Sequence, residues 1–423
     1  MKNNKKLIPE LRFPEFKNEE EWKVTPIGKV FNSFSGGTPN TSEKDYYGGD
    51  IPFIRSAEIN KNETELFLTK KGIENSSAKY VKKGDLLVAL YGANSGDSAI
   101  SKINGAINQA ILCLQSDYSN VYTYNFLTLK KDWIVSKFIQ GGQGNLSGDI
   151  VKSILIPFPK KLEQQKIASC LSSLDEVISA HNQKLELLKA HKKGLMQNLF
   201  PQKGKKVPKL RFKEFENDGE WVVKILIDTA DKKVKWSFTG GPFGSDLKAS
   251  DYTNKGIRII QLQNIGDGEF IDEYKIYTSE EKADELLSCN IYAEEIIISK
   301  MGDPVGRACI IPDYLERCVM ASDGIRLVVN EMKYSKYFVY YLINSKEIRE
   351  TIEKKSTGST RKRIGLDELR NIDLVMPKSL AEQQKIASCL SSLDELITAQ
   401  AEKIEQLKLH KKGLMQGLFP KNH

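Results

Sequence analysis

The chain contains itself twice. The segment EQQKIASCLSSLDE begins at Glu163 and returns at Glu382, and each copy runs into a nearly identical ending, HKKGLMQNLFP up to Pro201 and HKKGLMQGLFP up to Pro420. A second match precedes each half. PELRFPEF starts at Pro9 and PKLRFKEF at Pro208, and each is followed by a Glu-Trp pair, at Trp22 and Trp221. The period is about two hundred residues, far beyond the roughly 20–50 residues of solenoid units. It marks a duplicated domain, and two copies of one unit are expected to pack about a pseudo-two-fold axis, as identical subunits do in a dimer.

Each copy has the same parts: a lead-in motif (1–22 and 203–221), a globular block (23–158 and 222–377) and a conserved helix (159–202 and 378–423). Between the blocks identity is low, but the skeleton is shared. An apolar run leads into a glycine pair and out again, LLVALYGANSGDSAI around Gly92 and Gly96, and IIISKMGDPVGRACI around Gly302 and Gly306. Each block closes on a short β run ending in proline, at Pro159 and Pro377. Short β segments mixed with helical stretches such as 334–354 predict α+β domains.

The conserved segments predict coiled-coil helices. In the first, Ile167, Leu171, Leu174, Ile178, His181, Leu185, Leu188, Lys192, Leu195 and Leu199 follow alternating spacings of four and three. In the second, Ile386, Leu390, Leu393, Ile397, Gln400, Ile404, Leu407, Lys411, Leu414 and Leu418 do the same. A seam kept over four heptads specifies a helix partner rather than a general core. Ser379 with Glu382 forms a capping-box pattern that the first helix, with Lys160, lacks. Asp175, Glu176, Asp394 and Glu395 lie toward the helix starts, and His191, Lys192, Lys193, His410, Lys411 and Lys412 toward the ends. Antiparallel pairing sets acid beside base, so a rod of roughly 50 Å with a block at each end is expected. His181 and Gln400 are read as tolerated polar positions in the seam, the alternative being a register key.

Composition excludes more than it proves. Lys and Arg number 63 against 55 Asp and Glu, a net charge of +8. This suits a polyanion partner and equally an ordinary soluble protein. The start MKNNKKLIPE has no apolar run after it, and the apolar stretches are strand-sized, so a cytoplasmic protein is expected. Six cysteines without a CxxC pair and four histidines offer no zinc pattern, and the thiols are expected reduced. There is no GxxxxGK[ST] phosphate loop and no Asn/Asp-Pro-Pro-aromatic methylase signature. GGQGNLSG at 141–148 reads as a flexible loop before the closing strand, and Gly302-Asp303-Pro304 as a turn. The residues describe a reader or scaffold, not an enzyme.

The order of lead-in motif, variable block and helix, then all again, resembles the specificity subunits of type I restriction-modification enzymes. The resemblance spans nearly the whole chain and is carried by the junctions at 159–168 and 377–387, by GGPFGSDLK at 240–248, and by SGGTPN at 35–40. It implies two target-recognition domains, each reading half of a split DNA site, separated by two long helices forming an antiparallel coiled coil. It also implies that the helices set the gap and dock two adenine methyltransferase subunits using S-adenosylmethionine, and through them restriction subunits that hydrolyse ATP. This chain would then hold no cofactor or metal and no catalytic residue. Phosphate contacts from Lys and Arg would position such a reader, and loop side chains in the major groove would select bases. The candidates are Arg55, Tyr91, Asn94, Lys131 and Asn145 in the first block, and Lys235, Lys248, Arg258, Lys300, Arg307, Arg361, Lys362 and Arg363 in the second. The cluster 361–363 follows the polar run 356–360 and has no equal in the first block. The rival reading is a coiled-coil adaptor carrying two protein-binding domains. A self-sufficient nuclease or methylase is disfavoured by the missing motifs.

Overall fold

Two helices of 39 residues each, Lys161–Leu199 and Leu380–Leu418, grow from the repeated segments. Their heptad stripes set their burial: every seam position is buried or half-buried, whereas flanking positions such as Leu187 and Leu409 are open to solvent. The computed structural model describes residues 7–138, 145–358 and 361–421. The chain divides into two compact units, one formed by residues up to 183 together with those from 401 on, the other by residues 184–400. The division therefore falls within both helices, not at the block boundaries that the sequence pattern suggests.

The antiparallel pairing expected from charge is present in each unit. In the first unit, Ile167 and Leu171 from the start of one helix share a core with Met415, Leu418 and Phe419 from the end of the other. Beside them the Lys411 ammonium contacts both oxygens of Asp175, at 2.6 and 2.7 Å. In the second unit, Leu199 and Phe200 pack with Ile386 and Leu390, and Lys192 meets Asp394 at 2.5 Å. The two seam lysines are thus charge partners of the opposite helix, which explains a cation in an apolar stripe.

Each unit carries two sheets of matching strand order, the mixed sheet of the second unit having one strand more. In the first unit, strands Asn32–Ser35, Ile111–Gln115, Leu86–Ala89 and Ser98–Ile100 lie side by side, all antiparallel. In the second, Phe238–Gly240, Gly324–Leu327, Ile296–Ser299 and Ala308–Ile310 repeat that order. The other sheet is mixed: Tyr47–Ile54 runs parallel to Gly105–Ile107, as Ile257–Ile260 does to Arg317–Met320. The predicted closing strands exist and pair with the block starts, Leu155–Phe158 with Lys23–Pro26 and Asp373–Met376 with Val222–Ile225. Each block thus begins and ends at its helix. The central strands Leu86–Ala89 and Ile296–Ser299 are buried throughout, as continuous apolar runs require.

Three local expectations change. The stretch 334–354 is two helices, Lys336–Ile343 and Lys346–Lys355, broken at Asn344 and Ser345. Of GGQGNLSG, residues 141–144 lie outside the described residues; Ser147 caps a short helix, Gly148–Ser153, which precedes the closing strand. The capping box is half made. Ser379 accepts from the Glu382 backbone at 3.4 Å, but the Glu382 carboxylate is engaged elsewhere.

Candidate nucleic-acid interface

The repeated Glu-Gln-Gln junction holds each block on its helix. Arg12 clasps Glu163 through Nε and Nη2, both at 2.8 Å, and Arg211 clasps Glu382 with the same atoms at the same distances. All four side chains are almost fully buried. The arginines come from the lead-in motifs, whose turns they also hold by donating to the carbonyls of Glu19 and Gly219. The next residue works equally in both copies. Gln164 donates to the Pro159 carbonyl and accepts from the Ser119 amide; Gln383 donates to Pro377 and accepts from Ser335. Each glutamine therefore ties the helix start to the closing proline and to the start of the block's packing helix. The copies differ at tryptophan: Trp221 Nε1 donates to Glu382 at 3.1 Å, while buried Trp22 Nε1 has no partner among the described residues.

On this frame, each central strand ends in the same glycine turn. In the second unit Gly306 donates to the Ser299 carbonyl, Ser299 donates to Arg307, and Ile364 donates to Lys300. In the first unit Gly96 donates to Ala89, Ala89 to Asp97, and Leu146 to Leu90. The matching bonds make Lys300 the counterpart of Leu90, Arg307 of Asp97, and Arg363 of Asn145. Gly96 and Gly306 both have left-handed φ, +87° and +76°, where a side chain is strained. A Cβ on them would also meet Val135 at 2.9 Å and Ile352 at 2.6 Å.

The side chains on the two turns differ in charge. In the second unit Met301–Gly302 pairs with Lys362–Arg363 as a two-stranded ribbon, which brings Lys300, Arg307, Lys362 and Arg363 together, with Arg361 beside them. Lys362 is ion-paired with Glu353, whereas Lys300, Arg307, Arg361 and Arg363 form no ion pair among the described residues. Burial pushes the Lys300 ammonium's pKa down, the nearby Arg363 adds to the effect, and Asp323 opposes it. The buried Arg307 Nε has no hydrogen-bond partner among the described residues. This arrangement is poised for an anion. In the first unit Tyr91 is exposed, Asn145 accepts from the Gly92 amide at 3.3 Å, Asn94 closes the short helical turn Gly92–Asn94, and Lys131 is paired with Asp97. These four candidates also come together, on a turn without net positive charge.

Other candidates are placed differently. Arg258 is 4% exposed on its strand, bonded to Asp272 at 3.1 Å and to the Tyr274 carbonyl, over the Tyr277 ring. Its guanidinium is taken up by these contacts within the fold. Arg55 is held by Glu58 at 2.9 Å and Glu65 at 2.5 Å, two carboxylates around one guanidinium, so it too offers little to a phosphate. Lys248 is exposed, and its amide donates to Asp251 at 2.7 Å. Lys235 lies over the Trp236 ring at 4.1 Å. Of the polar run before the 361–363 cluster, residues 359 and 360 lie outside the described residues. No helix among the described residues is long and apolar enough to cross a membrane.

Comparison with known proteins agrees with the duplication. A family model described as the type I restriction modification DNA specificity domain matches residues 19–190 and 246–409. The MjaVIII specificity subunit of a type I restriction enzyme from Methanocaldococcus jannaschii is 25% identical over 411 residues, covering 95% of this chain and 92% of the relative. The MjaIX specificity subunit from the same organism is 26% identical over 448 residues, covering 96% of each. Among solved structures, the S subunit of a type I restriction-modification system from M. genitalium aligns with a TM-score of 0.59 at 16% identity, covering 99% of this chain and all of the other. A chain from a structure on complex assembly and conformational transition of the type I R-M system gives 0.58 at 15% identity, covering 95% of this chain and 98% of the other. The structural likenesses concern the fold. The family model, matched once in each half and over most of the sequence, decides membership: the chain belongs to the type I restriction-modification DNA specificity family.

Proposed function

We propose that this chain reads a bipartite DNA site, one half with the turn and loops of each unit, and performs no chemistry itself. One observation carries the reading: the same sheet-end turn is built twice from matching backbone bonds but is dressed with different side chains, Asp97 and Asn145 against Arg307 and Arg363. A frame held constant under changing loop residues suits a reader of two different sequences, since side chains at base edges carry the discrimination. The nearly identical long helices, each contributing residues to both units, set the gap and dock two adenine methyltransferase subunits. Those subunits supply S-adenosylmethionine chemistry and recruit ATP-hydrolysing restriction subunits, in the cytoplasm.

The test is exchange of residues 23–158 for the matching block of a related chain, with methylated adenines mapped for the assembled complex. One half-site should change and the other persist. A change in both would overturn the division of labour. Salt-independent association with duplex DNA, or none, would favour an adaptor that binds proteins instead. Inserting one heptad after Ile178 and another after Ile397 keeps each seam in phase and adds about 10 Å per helix. An unchanged gap in the methylated sequence would remove the helices' role as a ruler.

A further inference from the structure

The helix that packs beside each sheet-end turn carries one residue that is the same in both copies. Gly96 and Gly306 are equivalent, and so are the side chains that a Cβ on them would meet, Val135 and Ile352. Val135 lies on the helix Asn120–Phe138 and Ile352 on Lys346–Lys355, and each helix ends three residues further on. The stretches 131–138 and 348–355 therefore stand in register. Seven of the eight pairs differ, with Lys131, Asp132 and Trp133 facing Ile348, Arg349 and Glu350, for example. The one identity is Lys137 with Lys354.

Both lysines are exposed, and the fold leaves their charge available. Each is attended by the residue four positions earlier. In the first unit Lys137 Nζ lies 4.5 Å from the centre of the Trp133 ring and 5.4 Å from that of Phe138, and it forms no ion pair among the described residues. A ring holds a cation without neutralising it. In the second unit the attendant is Glu350, whose two carboxylate oxygens are shared between Lys354 and Lys346, each at 3.8 Å. Long, exposed pairs of this kind hold a lysine only weakly. Both helix ends sit at the turns. Lys131 pairs with Asp97 of the first, and from Lys355 the chain runs on into the ribbon that pairs with Met301–Gly302. A cation in the last helical turn also suits the helix dipole. In the second unit Lys355 already supplies one, so the dipole does not single out this position.

Two half-sites differ in their bases and share the phosphodiester backbone. A cation fixed at one place, beside turns whose other outward side chains change, suits the shared part. We propose that Lys137 and Lys354 are equivalent positioning residues, each taking a backbone phosphate at the half-site read by its unit. The inference rests on the proposed DNA-reading function. It gives the first unit, whose turn has no net positive charge, a phosphate contact of its own.

The assembled complex with methyltransferase subunits is titrated with cognate and non-specific duplexes over a range of salt. Lys137→Gln and Lys354→Gln should each flatten the log–log salt dependence by about 0.9 on both duplexes, and together by about 1.8. The methylated sequence should stay the same. Lys137→Arg and Lys354→Arg keep the charge and should keep the wild-type slope. Lys346→Gln, at the far end of the second helix, should also leave it unchanged. An unaltered slope in either glutamine variant, an equal fall with Lys346→Gln, or a changed methylation sequence would overturn the proposal. Lower thermal stability with an unaltered slope would reduce the two lysines to caps on their helix ends. A wild-type complex whose association is independent of salt would instead refute the DNA-reading function, whatever the variants did.

Discussion

The turns after Leu86–Ala89 and Ile296–Ser299 share three backbone hydrogen bonds and a left-handed glycine, yet they present opposite surfaces. In the first unit the one lysine is neutralised by Asp97, and amide and phenol groups face outward. In the second, Arg307 stands where Asp97 does, and four cations lack an ion-pair partner among the described residues. The difference separates two tasks within one fold. Backbone bonds and buried glycine contacts fix where the turn is, and neither depends on the outward side chains. The outward side chains can then change without cost to the frame.

The comparison breaks most easily at the frame. If both blocks are seated by the same clasp, Arg12→Ala and Arg211→Ala should each cost about 3–5 kcal/mol, because either leaves a buried carboxylate unpaired. Chemical denaturation of the purified chain measures this. The Arg211 variant keeps the Trp221 indole on Glu382, while the Arg12 variant has no indole bond to Glu163, so the Arg12 change should be the larger. A large effect from one arginine and none from the other would show that the two units are seated differently.

The glycines sharpen the same point at lower energy. Gly96→Ala and Gly306→Ala each force a side chain into left-handed backbone, at about 1–2 kcal/mol. The second should cost more, since its Cβ would meet fully buried Ile352 at 2.6 Å, whereas the first would meet half-exposed Val135 at 2.9 Å. Thermal unfolding of the two variants gives the order; a reversed order would mean that the Val135 side of the first turn is the stiffer one.

What the sequence disclosed follows from how each feature is encoded. The long helices were legible because a seven-residue stripe is a local pattern, and their antiparallel pairing because acid and base sit at opposite ends. The seating clasp also leaves a signal in the sequence: Arg12 and Arg211 recur in the lead-in motifs just as Glu163 and Glu382 recur in the helices, and two retained opposite charges invite pairing. The glycine pairs mark the turn clusters, but charge alone does not separate their individual side chains. Arg258 sits in the run IRII, whose apolar neighbours mark a buried strand, and Arg55 has Glu58 three residues on. Their acidic partners Asp272 and Glu65 are brought close only by the fold. The exposure of Phe243 is a property of the folded loop, not of the letters around it.

The smallest expected effect concerns the one neutralised cation of the second turn. Lys362 is held by Glu353, whose carboxyl pKa is lowered by the lysine's hydrogen bond and charge, so the pair adds no net charge to the rim. If Arg361 and Arg363 each neutralise a phosphate, Arg361→Ala and Arg363→Ala should each flatten the log–log salt dependence of binding by about 0.9. Glu353→Gln removes the competitor for Lys362 while leaving a side chain of the same shape. Two outcomes then separate two uses of the lysine. If Lys362 stays on Glu353 in the complex, the glutamine variant frees a new cation, and the slope should steepen by up to about 0.9. If Lys362 already leaves Glu353 for a phosphate when DNA arrives, the counterion count is unchanged, and the variant should bind more tightly at every salt concentration with the same slope. Neither change should occur if the ribbon Met301–Gly302 with Lys362–Arg363 lies away from DNA, and the charge contrast between the two turns would then have no bearing on recognition.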